Sequence, residues 1–323
     1  TDAAGCGASW ATACDLQTAI SRSTSGDQIW VAAGTYKPTT STNRGISFMM
    51  KDGVAIYGGF PSAGTPGWPD RDWVTNLTTL SGNIGDPGRS DDNSDSVVYA
   101  GSGVTASARL DGFIISGGYA TSGNAQGGGM LVSGSPTVRN VTFTGNSGYL
   151  GGGMASVGGS AALTDVTFAG NTTFGGTGWG GGGMYVESSS PVLSNVTFSG
   201  NAAPSGDSGG GMFVYSGSPA LTNVTFSGNT APDGLGGGIS LCADGAAQLA
   251  NVVFAGNSAA WGGGGMYVMC GSAVLTNATF YGNSVTAGSG PGSGGGAILV
   301  DAGLTLTNSI LWGNTANYGP QIS

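Results

Sequence analysis

The chain has 323 residues, of which 66 are glycine and none histidine, and a formal net charge of -9. Eight Lys and Arg against 17 Asp and Glu speak against nucleic acid or anionic lipid as a partner, and no run of about 18 apolar residues is present to insert in a membrane. Four cysteines and an acidic balance suit a secreted, extracellular or cell-surface protein, and because Thr1 to Gly5 lack a basic, apolar leader, a signal peptide is expected to have been removed.

In chain order, residues 13–22 place Leu16, Ala19 and Ile20 on one helical face with Asp15 near the start. This predicts a short helix covering the N-terminal end of the core. Cys6 and Cys14 flank the approach to it and are expected to form a local disulfide. Gln28 to Ala32 and Gly53 to Phe60 read as the first strands. Residues 61–95 break the pattern with Pro61, Pro66, Pro69 and Pro87 and read as an insertion on the side of the body. Within it, Asp86, Asp91, Asp92 and Asp95 supply hard oxygens of the kind Ca²⁺ prefers, although their spacing matches no EF-hand or nonapeptide loop, and a solvated polar loop is the alternative. Residues 96–126 form one irregular turn.

Residues 127–314 repeat one unit seven times: a glycine run, a short apolar strand, a turn, then Asn-Val-Thr-Phe-Ser-Gly-Asn or a near copy. The distance from the last glycine of a run (Gly129, Gly153, Gly183, Gly211, Gly238, Gly265, Gly296) to Phe143, Phe168, Phe198, Phe226, Phe254, Phe280 or Leu311 is 14 to 16 residues. From the closing asparagine (Asn146, Asn171, Asn201, Asn229, Asn257, Asn283) to the next run it varies from 4 to 10 residues. A body of fixed length with one variable joint is what stacked coils require, since loops lengthen at small entropic cost while register must hold. Alternation in Met184-Tyr185-Val186 and Val196-Thr197-Phe198-Ser199 indicates strands. The fold class is therefore all-β: a single-stranded parallel β-helix of one domain over residues 1–323, with cap and first turns in 1–60, the side insertion, the irregular turn, the seven repeats and a tail at 315–323. Stacking predicts ladders of Phe, of Leu (Val138, Leu163, Leu193, Leu221, Leu249, Leu275, Leu306), of Met (Met130, Met154, Met184, Met212, Ile239, Met266) and of Asn or Asp (Asn140, Asp165, Asn195, Asn223, Asn251, Asn277, Asn308). Asparagine suits a left-handed corner and bonds to its copies above and below.

Phe198-Ser199-Gly200-Asn201 and its relatives, with Gly295-Gly296-Ala297-Ile298, resemble the repeats of chlamydial polymorphic outer membrane proteins. The N-terminal segments Leu16 to Ile20, Gly26 to Tyr36, Gly53 to Phe60 and Leu110 to Phe113 resemble secreted bacterial β-helix proteins of the pectin-lyase-like fold. The resemblance implies a right-handed helix and leaves function open, since that group includes adhesins, surface proteins and polysaccharide-cleaving enzymes.

Chemistry is sparse within the repeats. Their only cation is Arg139, whereas lyases of this fold use basic side chains beside calcium. Asp165, Glu187, Asp207, Asp233, Asp244 and Asp301 have different neighbours, whereas a glycosidase needs carboxylates clustered on one face. A non-enzyme with no cofactor beyond the Ca²⁺ reading is expected. Sequons occur at Asn76, Asn140, Asn171, Asn195, Asn223 and Asn277, of which Asn76 and Asn171, away from the Asn ladder, are the glycosylation candidates. Cys242 and Cys270, 28 residues apart, should link adjacent coils. Two stripes face outward: Thr142, Thr167, Thr197, Thr225, Val253, Thr279 and Ile310, and the positions after Met, namely Leu131, Ala155, Tyr185, Phe213, Ser240, Tyr267 and Ile298. The second is apolar, and is either an open patch or covered by the variable loops.

Three functions fit these observations. The first is a structural protein assembling head to tail, with Leu304, Leu306, Ile310, Leu311 and Trp312 of the last coil, or the tail, docking on the next copy. The second is an adhesin binding glycans or host surfaces through loops carrying Tyr149, Phe174, Trp179 and Trp261. A polysaccharide lyase or hydrolase is the third.

Overall fold

The computed structural model describes residues 9–121, 126–176, 178–287 and 293–323. They form a parallel β-solenoid of ten coils in which every strand pairs in parallel with its copies one coil away. One face carries the long strands, such as Val192–Ser199. A second carries the short strands that open on Met, such as Met184–Glu187, and the third is made of two-residue strands such as Thr172–Thr173.

The predicted ladders stack in register. Leu163, Leu193 and Leu221 align, as do Phe168, Phe198 and Phe226. Neighbouring rings from Phe143 to Phe280 lie 4.4 to 4.9 Å apart between centroids, tilted by 3 to 6°, and all are fully buried. Each long strand bends at its Asn or Asp, which adopts φ of 49 to 56° from Asn140 to Asn308. The left-handed residue changes the parity of the alternation, so Leu193 and Val196 both face inward although three residues apart. Outside the corner, Asn195 donates to Asp165, Asn223 to Asn195, Asn251 to Asn223 and Asn277 to Asn251.

A second amide ladder, not read from the sequence, runs through the interior. The closing asparagines from Asn146 to Asn283 are each 0 or 1 % exposed. The side-chain amide of each donates to the carbonyl of the core residue one coil back, Ile115 for Asn146 and a phenylalanine thereafter, and to the next asparagine's Oδ1, as Asn201 does to Phe168 and Asn229 at 2.9 Å each. From Asn171 onward each Oδ1 in turn accepts the backbone and side-chain N–H of the preceding asparagine, while Asn146 Oδ1 accepts the Gly118 N–H. Buried polar groups this completely paired hold one register against all others.

The glycine runs let the backbone pass close to this core. A Cβ on Gly183 would stand 2.6 Å from the Gly211 carbonyl oxygen and 2.8 Å from a Phe198 ring carbon. The seventh run is displaced by one residue from the sequence reading. Gly295, at φ 65°, takes the first position, Ala297 takes the third, and Ile298 pairs with Met266 while Leu299 pairs with Tyr267. Alanine is accommodated where the ring is replaced by Leu311. Ile298 thus belongs to the Met ladder and Leu299 to the outward stripe.

At the N-terminal end, Leu16–Arg22 is helical, with Asp15 capping the Thr18 N–H and Leu16 and Ile20 buried on the first coil. Burying each such side chain contributes about 1.5 to 3 kcal/mol. Residues 61–95 are not one insertion. Thr78–Ser81 is a coil strand, pairing with Gly34–Tyr36 and with Arg109–Ser116, and Leu80 lies under Ile115 at the head of the Phe ladder. The excursions are therefore 61–77 and 82–95. Cys242 and Cys270 are bonded, with Cα atoms 4.3 Å apart; closing a loop of this size stabilises by ~3–4 kcal/mol in the chain-entropy view. Cys14 is half-buried beside the helix, and its expected partner Cys6 lies outside the described residues.

The tail pairs with its own chain: Ala297, Ile298 and Val300 donate to Pro320, Gln321 and Ser323. Of the two outward stripes, the apolar one is covered. Ala155, Tyr185 and Phe213 are buried in a satellite core with Leu131, Leu150, Val157 and Met269, and Trp179 from a variable loop packs edge-on against Phe213. Burial beside the Glu187 and Asp301 carboxylates pushes the phenols of Tyr185 and Tyr267 up. The threonine stripe stays half-buried to exposed along its length.

Candidate functional site

The threonine stripe has a walled end. Ile114, Thr142 and their neighbours floor a cleft of about 370 Å³ whose wall is Trp73, Val74 and Leu77 and whose far side is Asn140 and Asp165. The wall side chains are 39, 72 and 52 % exposed and give the cleft an apolar side. From this end the floor continues as Thr167, Thr197 and Thr225, in register from coil to coil, with the outer amide ladder along its edge.

The excursion carrying the wall is held down by Arg71. Its guanidinium bonds to the Asp111 carboxylate at 2.6 Å, to the Asp111 carbonyl at 3.0 Å and to the Gly58 carbonyl at 2.7 Å. Both charged side chains are buried, at 6 and 7 % exposure. The same group lies 4.8 to 5.3 Å from the ring centres of Trp73, Tyr57 and Trp68, a cation–π arrangement strengthened by removal from water. Asn140 donates to the same Asp111 oxygen as Arg71, at 2.9 Å, so the wall and the amide ladder share one anchor. Close approach is possible because Gly59 (φ 94°) and Gly112 (φ 85°) lie under Trp73: a Cβ on either would meet Trp73 atoms at 2.7 to 3.1 Å. In the turn beyond, the Thr75 hydroxyl and the N–H groups of Val74 and Thr75 hold the Asp72 carboxyl below its ordinary range.

The other residues singled out in the sequence are not gathered here. Asp86, Asp91, Asp92 and Asp95 do not converge as a carboxylate set: Asp91 pairs with Arg89, Asp95 with Arg44, and Asp86 accepts the Gly88 N–H. Among the described residues no three His, Cys, Asp or Glu side chains are grouped for a metal. Asn171 is 1 % exposed, with its amide spent on Phe143 and Asn201, so it is closed to glycosylation in the folded chain. Asn76 is half-buried, donating to the Gly59 carbonyl. Leu304, Leu306 and Leu311 face the core, while Ile310 and Trp312 are 63 and 67 % exposed on the outside. Of the loop aromatics, Phe174 stacks on Tyr119, Trp179 serves the satellite core, and Trp261 is exposed with its N–H on Asp233. The cleft was missed because its parts lie tens of residues apart. The available signal was a pair of glycines, Gly59 and Gly112, on consecutive coils.

No curated protein and no solved structure matches the chain. Residues 89–251, about half of it, match the family described as right handed beta helix region. Together with the parallel stack of coils, that match places the chain in the right-handed β-helix family.

Proposed function

We propose that this is a secreted, non-catalytic surface protein that binds an extended neutral glycan along its threonine stripe. The observation that carries the reading is the cleft in which Trp73, Val74 and Leu77 face the Asn140 amide across Ile114 and Thr142. A sugar ring has an apolar face suited to such a wall and hydroxyls suited to amide and threonine partners. The rise of one coil, ~4.8 Å, is close to the length of one sugar unit in an extended chain. The net charge of -9 disfavours polyanions. Asp165 is the one carboxylate lining the cleft, and hydrolysis calls for a pair. The likeness of the N-terminal segments and repeats to pectin-lyase-like and chlamydial surface proteins supports a location outside the cell.

Affinity electrophoresis through gels containing xylan, mixed-linkage β-glucan or mannan tests the binding. At least one polymer should retard the protein, Trp73→Ala should weaken that retardation about tenfold, the worth of roughly 1.4 kcal/mol, and no reducing ends should appear. Migration unaffected by all three polymers, or retardation indifferent to Trp73→Ala, contradicts the reading.

End-to-end assembly is a second reading, favoured by the half-buried state of Leu304, Leu306 and Leu311 when their counterparts Ala273, Leu275 and Phe280 are 0 or 1 % exposed. One further coil would cover them, and a second copy can supply it. Light scattering at high concentration should then give masses above the monomer that fall on Leu304→Asp. A monomer at every concentration sets this reading aside.

A further inference from the structure

The excursion 82–95 contains a concentration of buried oxygen without donors. Segments 82–86 and 92–95 run side by side, tied by Ser94 N–H to the Gly82 carbonyl at 2.8 Å and by Asp86 N–H to Asp92 Oδ2 at 2.8 Å. On them, Asn83 Oδ1, Asp92 Oδ1, Asn93 Oδ1 and Ser94 Oγ are all inaccessible to solvent and lack a hydrogen-bond partner. Asn93 is 6 % exposed and Ser94 0 %. Asp95 Oδ1 is a different case, because the Arg44 guanidinium lies 3.0 Å away. Arg44 also bonds to the Asn93 and Tyr119 carbonyls and so fixes segment 92–95 against the third coil.

Three interior acceptors and one hydroxyl without partners, on two segments tied side by side, favour a shared occupant. A single water donates only two hydrogens to the three carbonyl or carboxylate oxygens, and pairing of the third rests on the Ser94 hydroxyl. A hard cation satisfies all of them and the serine oxygen as well. We propose that Asn83, Asp92, Asn93 and Ser94 form a Ca²⁺ site that fastens the 82–95 excursion to the coil. Neutral amide and hydroxyl oxygens with one free carboxylate fit Ca²⁺, which accepts irregular oxygen shells, better than Mg²⁺, which demands a near-ideal octahedron and keeps its waters. The low charge of the donor set places the affinity at about 10⁻⁴ to 10⁻³ M, the range of extracellular modules.

The experiment is calorimetric titration of chelator-treated protein with CaCl₂ and, separately, MgCl₂, with the melting temperature followed alongside. One Ca²⁺ per chain should bind, Tm should rise between 0.1 and 10 mM Ca²⁺ (roughly the affinity range above), and Mg²⁺ should bind at least about tenfold more weakly. Asp92→Asn, which keeps shape and removes the charge, should weaken Ca²⁺ about tenfold or more while leaving the chelator-treated melting temperature close to that of the parent. Arg89→Ala, which frees the neighbouring Asp91, should not lower the affinity. Absence of binding at 10 mM (about ten times the weakest expected Kd), or binding unchanged in Asp92→Asn, overturns the proposal. The first result would mean that the two asparagines present their NH₂ groups to Asp92 instead.

Discussion

Replacing Asn229 by leucine should lower the stability of the folded chain by about 3–5 kcal/mol. Leucine has the same branched outline and more bulk, so no cavity forms, and the cost is the lost hydrogen bonding together with some crowding. Asn229 donates to the Phe198 carbonyl and to Asn257 Oδ1 at 2.9 Å each, and accepts from Asn201 N at 3.0 Å and Asn201 Nδ2 at 2.9 Å. Leucine removes all four bonds in a place water does not reach, stranding the Asn201 N–H and the Phe198 carbonyl contact. Asn223→Gly is the matched control in the outer ladder. Glycine keeps the left-handed corner at φ 55°, and the bonds lost are exposed, so the cost should stay near 1 kcal/mol. Urea unfolding of both variants measures the difference; equal losses would mean that the interior ladder does not set the register.

Arg71→Ala should cost a similar ~3–5 kcal/mol, because it leaves the Asp111 carboxylate buried without its cation, and it should also abolish glycan retardation by releasing the wall. The pair is nearly enclosed, at 6 and 7 % exposure, so solvent screening offers little relief. Combining Arg71→Ala with Asp111→Asn separates the contributions. If the stranded charge dominates, the double variant recovers most of the stability but not the binding, since Trp73 and Trp68 still lack the guanidinium between them. Denaturant titration and affinity electrophoresis of the same three proteins read both effects. A single variant as stable as the parent would show that Arg71 is dispensable to the excursion.

The repeats were legible because in a solenoid, spacing along the chain becomes position across the sheet. Equal distances from Gly183 to Phe198 and from Gly211 to Phe226 translate directly into stacked rings, and the recurring Asn before Val-Thr-Phe marked a corner that only a few residue types tolerate. Spacing fails where the pattern is degenerate. Three glycines at 294–296 admit two alignments, and only the stack, with Leu311 in place of a ring, decides for Gly295. The interior ladder was hidden for another reason: Asn201 follows Gly200, whose φ of 60° reverses the side-chain direction, so alternation could not say that it points inward. That reversal also turned Asn171 from an apparent loop sequon into core. Thr78–Ser81 was lost among prolines and acids because its partner Gly34–Tyr36 is far back in the chain. The cleft has no periodicity at all, since Trp73, Gly112 and Thr142 meet only once the coils are wound.

The stripe reading makes a further demand that a single pocket would not. If a glycan lies along the axis, each added sugar unit should meet another coil, from Thr142 to Thr167 to Thr197. Calorimetric titration with a length series of oligosaccharides from whichever polymer retards the protein measures this directly. Affinity should climb with each unit over several coils and fall across the whole series in Trp73→Ala. Affinity that stops rising after one or two units, or a series untouched by Trp73→Ala, would place the ligand elsewhere and contradict the stripe.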